Sequence, residues 1–117
     1  MRVYVSDLVL PVRIGVHDRE RHAPQKVRFN VSVEVGPGRA PPGANGDYFS
    51  YEIIMDAIAE ATSGGHVDLT ETIAERIAAV VLRDSRAERI TVRVEKLEVV
   101  PGILGIEQVF ERDEGRS

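Results

Sequence analysis

Lys26-Val27-Arg28-Phe29-Asn30-Val31-Ser32-Val33-Glu34-Val35 carries the cleanest strand signal in the chain. Val27, Phe29, Val31, Val33 and Val35 fall on one face of an extended segment. Lys26, Arg28, Asn30, Ser32 and Glu34 fall on the other. This alternation predicts a strand half buried against a core. Ile90, Val92 and Val94 alternate in the same way with Arg89, Thr91, Arg93 and Glu95, which predicts a strand over residues 89–97. Lys96 continues the apolar face of that strand, where a lysine is out of place. Such a lysine either snorkels out to water or is held for chemistry, since withdrawal from water turns lysines in general into proton shuttles.

Working outward, residues 2–16 read as a strand with Val3/Val5 and then Leu8/Leu10/Val12/Ile14 as its apolar sets. The phase shifts at Ser6-Asp7, which predicts a bulge or break. Pro11 lacks a ladder donor and fits an edge. A polar segment, Gly15 to Gln25, joins this strand to the next. Gly36 to Asp47 reads as a Gly/Pro/Asn loop. Ser50 is a predicted N-cap, followed by Ile53, Ile54, Ala57, Ile58 and Ala61 at helical spacing, with Gly64-Gly65 as the stop. A second helix is expected from about Asp68, with Asp68-Leu69-Thr70-Glu71 in capping-box spacing. Its apolar stripe includes Leu69, Ile73, Ile77, Val80 and Val81. A turn at Pro101-Gly102 precedes a last strand over residues 103–112, and the polar tail 113–117 follows.

The expected order is ββααββ, an α+β class: an antiparallel four-stranded sheet with two helices on one face. One domain over residues 1–112 accounts for the chain. This arrangement leaves a second sheet face and two strand edges uncovered. Several copies joining their sheets into a closed ring would cover both, so a homo-oligomer is expected.

Composition narrows the function classes. The chain has 117 residues, 43% hydrophobic and 29% charged, with a net charge of −4. That balance offers no basic footprint for nucleic acid. No apolar run has the length to span a membrane, and the N-terminus lacks a signal-peptide core. A cytoplasmic location is expected. The absence of cysteine excludes thiol catalysis and thiolate metal sites. His17, His22 and His66 lack metal-ligand spacing, so no metal site is expected. Gly36-Pro37-Gly38 is not a phosphate loop.

Glu20, Tyr51, Glu71 and Lys96 lie near element ends, and each has an ordinary explanation. Glu20 reads as a solvated loop carboxylate. Tyr51 reads as a packing tyrosine with its hydroxyl in water. Glu71 reads as the far half of a capping box. Alternatively, it is a buried carboxylate receiving two parallel N–H donors from a ligand.

Four stretches, in order, resemble one family. They are Ile14-Gly15-Val16-His17-Asp18-Arg19-Glu20 with Gln25-Lys26-Val27-Arg28-Phe29; Asp47-Tyr48-Phe49-Ser50-Tyr51; Leu69-Thr70-Glu71-Thr72-Ile73-Ala74-Glu75-Arg76-Ile77-Ala78; and Val92-Arg93-Val94-Glu95-Lys96. Together they resemble the dihydroneopterin aldolases of folate biosynthesis, over about Val3 to Arg112. The resemblance implies the tunnelling fold, rings of four subunits often stacked as octamers, and active sites between neighbouring subunits. It implies that Glu71 and the Thr70 backbone hold a pterin. It implies that Glu20 binds the trihydroxypropyl side chain and that Tyr51 reaches the substrate from the adjoining subunit. Lys96, with Tyr51, would move protons. The reaction implied is retro-aldol cleavage to hydroxymethyl-dihydropterin and glycolaldehyde, with side-chain epimerisation alongside. No Schiff base, metal or coenzyme is required. Thr70 stands where the family usually has an apolar residue. A sister reading is an epimerase of dihydroneopterin or its triphosphate, for which Arg19, Arg21 and Lys26 would supply cations. A third is a ring protein that binds a pterin or purine without turning it over.

Overall fold

The computed structural model describes residues 1–17, 20, 23–36, 49–99 and 101–112. Its elements run β1 (Arg2–Val12), β2 (Gln25–Val35), α1 (Tyr51–Thr62), α2 (Thr70–Val81), β3 (Ala87–Lys96) and β4 (Leu104–Glu111). The strands form one antiparallel sheet in the order β1-β2-β3-β4. The ββααββ expectation holds. The expected 36–47 loop falls mostly outside the described residues, as do Arg19, Arg21, His22 and the tail 113–117.

The central strands supply the core. Val27, Phe29, Val31 and Val33 of β2 and Ile90, Val92 and Val94 of β3 are fully buried on one face. Ile54, Ala57, Ile58 and Ala61 of α1 and Ile73, Ala74, Ile77, Ala78 and Val81 of α2 close over them. The small alanines let α1 and α2 pack against each other as well as against the sheet. Ser50 caps α1 by accepting the Glu52 N–H at 3.1 Å. The bulge also falls where the phase shift placed it. The β1–β2 register slips between Val5 and Leu8. Asp7 adopts φ 55° there, and its N–H reaches the Asn30 side-chain oxygen at 2.9 Å.

The opposite sheet face is charged and ordered by cross-strand pairs. Arg28 faces Glu95 at 2.9 Å, Arg89 faces Glu34 at 3.5 Å and Arg93 faces Glu107 at 3.9 Å, each pair in direct register. A one-residue slip would separate every one of these pairs and expose the core valines. Glu95 is buried on this face, and the Arg28 hydrogen bond holds its carboxyl below the usual range.

Three of the boundaries that differ from the sequence reading have a clear cause. β1 stops at Val12, and Ile14 instead makes a single parallel bridge to Val67. The chain leaves the sheet there to meet the segment that leads into α2. β3 begins at Ala87, because Ala87 still pairs with Val35 after a register shift. The N-cap of α2 is Leu69, with no side-chain cap bond. The helix therefore starts one residue too late for Asp68 and Glu71 to close a capping box.

Arg112, just past β4, closes the far end of the helical layer. Its guanidinium donates to the carbonyls of Leu82 (2.6 Å), Asp84 (2.9 Å) and Ala87 (3.0 Å). These include a carbonyl left over at the C-terminus of α2, where a cation is also favoured by the helix dipole. Replacing Arg112 with alanine is expected to destabilise the protein by about 2–3 kcal/mol. The effect should appear as a lower urea midpoint at unchanged slope.

Candidate active site

Two polar residues break the strand pattern at one end of the sheet. Lys96 ends β3 in phase with Val94, and Gln25 opens β2 in phase with Val27. Lys96 pairs with Val27 across the ladder, which brings both side chains to the same edge of the core. Glu20 fills the space between them. Its carboxylate accepts the Lys96 ammonium at 2.9 Å, the Gln25 side-chain amide at 2.9 Å and the His17 N–H at 3.2 Å. The same amide nitrogen of Gln25 also reaches the Ile14 carbonyl at 2.8 Å.

Glu20 is therefore not a solvated loop carboxylate, since it is only 9% exposed. Burial pushes its carboxyl up. The hydrogen bonds from Gln25, Lys96 and His17, with the charge of Lys96, outweigh that and hold it down at about 2. Glu20 is therefore ionised throughout the physiological range. Lys96 is largely withdrawn from water, its side chain 16% exposed. It neither snorkels freely nor lies deep in the core.

Gly15 makes room for this arrangement. It adopts φ +128°, in the region that favours glycine. A side-chain carbon there would overlap the Glu20 carboxylate. Gly15→Ala therefore combines backbone strain with expulsion of Glu20. It is expected to destabilise the protein by about 2–4 kcal/mol, and a thermal melt beside wild type checks this.

The third part of the site comes from the start of α2. Thr70 is buried, and its hydroxyl donates to the Glu71 carboxylate at 2.9 Å. Freed from capping, Glu71 projects into solvent. Its own backbone N–H, the Thr70 hydroxyl and the charge of Lys96 hold its carboxyl below the ordinary value. Glu71 is thus an ionised acceptor, exposed in this chain rather than buried.

A cleft of about 210 Å³ joins these parts. Thr70, Glu71, Lys96 and Asp68 form its polar side; Val16, Leu69 and Leu104 form its apolar side. The apolar three are exposed in the single chain. Gly105 lines the cleft with no side chain of its own. The structure thus brings Thr70, Glu71 and Lys96 to one cleft and Glu20 to Lys96. Tyr51 stands apart as the first residue of α1, 61% exposed and outside the cleft lining.

Comparisons with known proteins carry the same pattern. The family model of dihydroneopterin aldolase (FolB) matches residues 3–109. A dihydroneopterin aldolase of Streptomyces coelicolor is 34% identical over 85 residues, covering 70% of each chain. The chain belongs to the dihydroneopterin aldolase family. A Burkholderia thailendensis dihydroneopterin aldolase solved bound to guanine superposes with a TM-score of 0.82, at 24% identity. The superposition covers 97% of this chain and 92% of that one. The Escherichia coli enzyme in complex with neopterin superposes with a TM-score of 0.81, at 22% identity, covering 94% and 98%. The fold is the tunnelling fold of these structures.

In this member, sequence reasoning missed Gln25, Gly15 and the apolar walls. Gln25 had a readable signal, the same phase violation that singled out Lys96. Val16, Leu69 and Leu104 had none, because they are distant in sequence and meet only in the fold. No three metal-ligating side chains converge among the described residues, and no helix among them is long and apolar enough to cross a membrane.

Proposed function

We propose that this member cleaves dihydroneopterin to hydroxymethyl-dihydropterin and glycolaldehyde, with epimerisation of the side chain as a companion reaction. The observation that carries the reading is the cleft itself. An ionised carboxylate, Glu71, and a lysine, Lys96, line one cleft beside apolar walls, and a second carboxylate, Glu20, is hydrogen-bonded to that lysine. A flat heterocycle fits the walls, and its ring amide and amino N–H groups would donate in parallel to Glu71. The backbone at Thr70 would add a further contact. Glu20 would receive the hydroxyl groups of the trihydroxypropyl chain, next to Lys96.

The chemistry asks little of the protein beyond placement and proton transfer. A base takes the proton of the second side-chain hydroxyl, and that oxygen becomes the carbonyl of glycolaldehyde. The bond between the first and second side-chain carbons breaks. Its electron pair moves into the adjacent ring C=N bond, giving an enamine. A proton then returns to the first side-chain carbon. The substrate supplies its own electron sink, so neither a Schiff base nor a metal is needed. Lys96, with water, would move the protons. Glu20 and Glu71 would fix the reacting geometry. Re-addition of the aldehyde through its other face would give the epimer at the second side-chain carbon.

β1 and β4 are the sheet's two edges. Pairing β4 of one copy with β1 of the next would close a ring of four, stacked in pairs as octamers. The exposed Leu69, Leu104 and Tyr51 would then lie at or near subunit boundaries. Tyr51 would enter a neighbour's cleft as a second proton-transfer group. The location proposed is the cytoplasm, and residues 1–112 are taken as one catalytic domain.

Product analysis tests the reading. Purified protein is incubated with dihydroneopterin, without metal or coenzyme. Hydroxymethyl-dihydropterin together with glycolaldehyde supports the aldolase. Isomer exchange without cleavage would make it an epimerase. Tight binding with no turnover of this substrate or its triphosphate would leave a pterin-binding ring protein.

A further inference from the structure

His66 lies outside the cleft lining, yet it is tied to the cleft's buried carboxylate through one glycine. Its Nε2 stands 2.7 Å from the Gly15 carbonyl oxygen and 3.6 Å from an Asp68 carboxylate oxygen. Both neighbours are acceptors, so Nε2 carries the proton and donates to Gly15. Nδ1 is buried and finds no partner among the described residues. In this tautomer it is a lone pair, which is less costly to bury than an unpaired N–H.

Two backbone bonds reinforce the contact. The Gly15 N–H donates to the Val67 carbonyl at 3.0 Å, and the Val67 N–H donates to the Arg13 carbonyl at 2.8 Å. Gly15 is thus gripped at its N–H and its carbonyl by the 66–67 segment. The side where a Cβ would stand is taken by the Glu20 carboxylate. Three residues after Val67 comes Thr70, the first residue of α2. The 66–67 segment therefore connects the two halves of the site: Glu20 with Lys96 on one side, and Thr70 with Glu71 on the other.

We propose that His66 is a positioning residue: its Nε2–H···O=C bond to Gly15 fixes the seat of the Glu20 carboxylate relative to Lys96 and to the start of α2. The proposal rests on the functional reading above only for its kinetic consequence. Among the described residues the side chain makes no hydrogen bond to Glu20 and does not line the cleft; it acts through the Gly15 backbone. A small misplacement of reacting groups lowers rate more than binding. His66 makes no hydrogen bond to Glu71 or Thr70 among the described residues, so KM should move less than kcat.

The test compares His66→Leu, which fills the space without a donor, with His66→Gln, whose amide nitrogen can stand where Nε2 does. In His66→Leu, kcat for dihydroneopterin cleavage should fall by roughly ten- to a hundredfold, and His66→Gln should recover most of it. In a Glu20→Gln background the His66→Leu loss should largely vanish, because both changes act on one seat. A second readout does not need activity. Carbon NMR titration of the Glu20 carboxyl should show its midpoint rising from about 2 in His66→Leu and returning in His66→Gln. If His66→Leu fails to fold, His66→Asn replaces it, since its shorter amide cannot reach the Gly15 carbonyl.

An unchanged Glu20 titration and an unchanged kcat in a folded variant would overturn the proposal. So would a loss of kcat that is fully additive with Glu20→Gln. If wild type itself does not cleave dihydroneopterin, the functional reading fails, and the Glu20 titration alone decides the role of His66.

Discussion

Replacing Lys96 with alanine is expected to lower kcat for dihydroneopterin cleavage by about 10²- to 10⁴-fold, the range for loss of a proton-transfer group. KM should change far less, because Glu71 and Thr70, the proposed ring-binding groups, remain. Stability also changes, since Glu20 loses the cation at 2.9 Å while staying buried. The loss should be about 1–3 kcal/mol at neutral pH. Its pH dependence has a definite sign. The Glu20 carboxyl is held at about 2 against an ordinary value of 4.5, so its contribution to stability is complete above pH 4.5 and fades as pH falls toward 2. The variant loses the part of that depression that Lys96 supplies by its hydrogen bond and its charge, while the Gln25 and His17 bonds remain. Wild type and Lys96→Ala should therefore differ most at neutral pH and converge in acid. Urea unfolding at pH 7 and pH 3 measures this, and a gap that widens in acid would count against the ion pair.

Replacing Glu71 with glutamine is expected to act on binding. Glutamine keeps one acceptor but turns an amide N–H₂ toward ligand groups that are themselves donors. Losing a charge-assisted pair and adding a repulsive donor should weaken pterin affinity by about 2–3 kcal/mol, roughly 30- to 150-fold. The fold should be unaffected, since Glu71 is exposed and caps nothing but its own turn. Calorimetric titration with neopterin separates this from loss of structure. Unchanged affinity in a folded Glu71→Gln protein would move ring recognition away from the start of α2.

Glu20 shows why part of the site was hidden in the sequence. Its neighbours His17, Asp18, Arg19, Arg21 and His22 are polar, and such a stretch reads as solvated. Its burial depends on Lys96, 76 positions away, and on a glycine whose missing side chain leaves the carboxylate its space. Glu71 misled in the other direction. The spacing of Asp68 and Glu71 suits a capping box, yet the helix begins at Thr70 and leaves Glu71 outside any capping box. Local preference points to Asp68, a favoured N-cap residue, over Leu69, a poor one, so the start at Thr70 is a tertiary outcome that propensity does not show. Lys96 was legible for the opposite reason. A polar residue that continues an apolar phase contradicts the local pattern, and such contradictions gather at sites. Gln25 carries the same contradiction on the neighbouring strand.

Local periodicity by itself determined the four strands, the two helices, their order and the face each would bury. Those follow from where alternate or helically spaced side chains must point, and the bulge at Ser6-Asp7 follows from a break in that phase. Only the tertiary structure decided which polar residues meet. Antiparallel pairing of β2 with β3 places Gln25 and Lys96 at one end of the core, the Gly15 turn admits Glu20 between them, and the late start of α2 turns Glu71 toward the same cleft. These are long-range packing outcomes, set by register and by the space one glycine leaves open, and no local stretch of sequence encodes a distance between side chains.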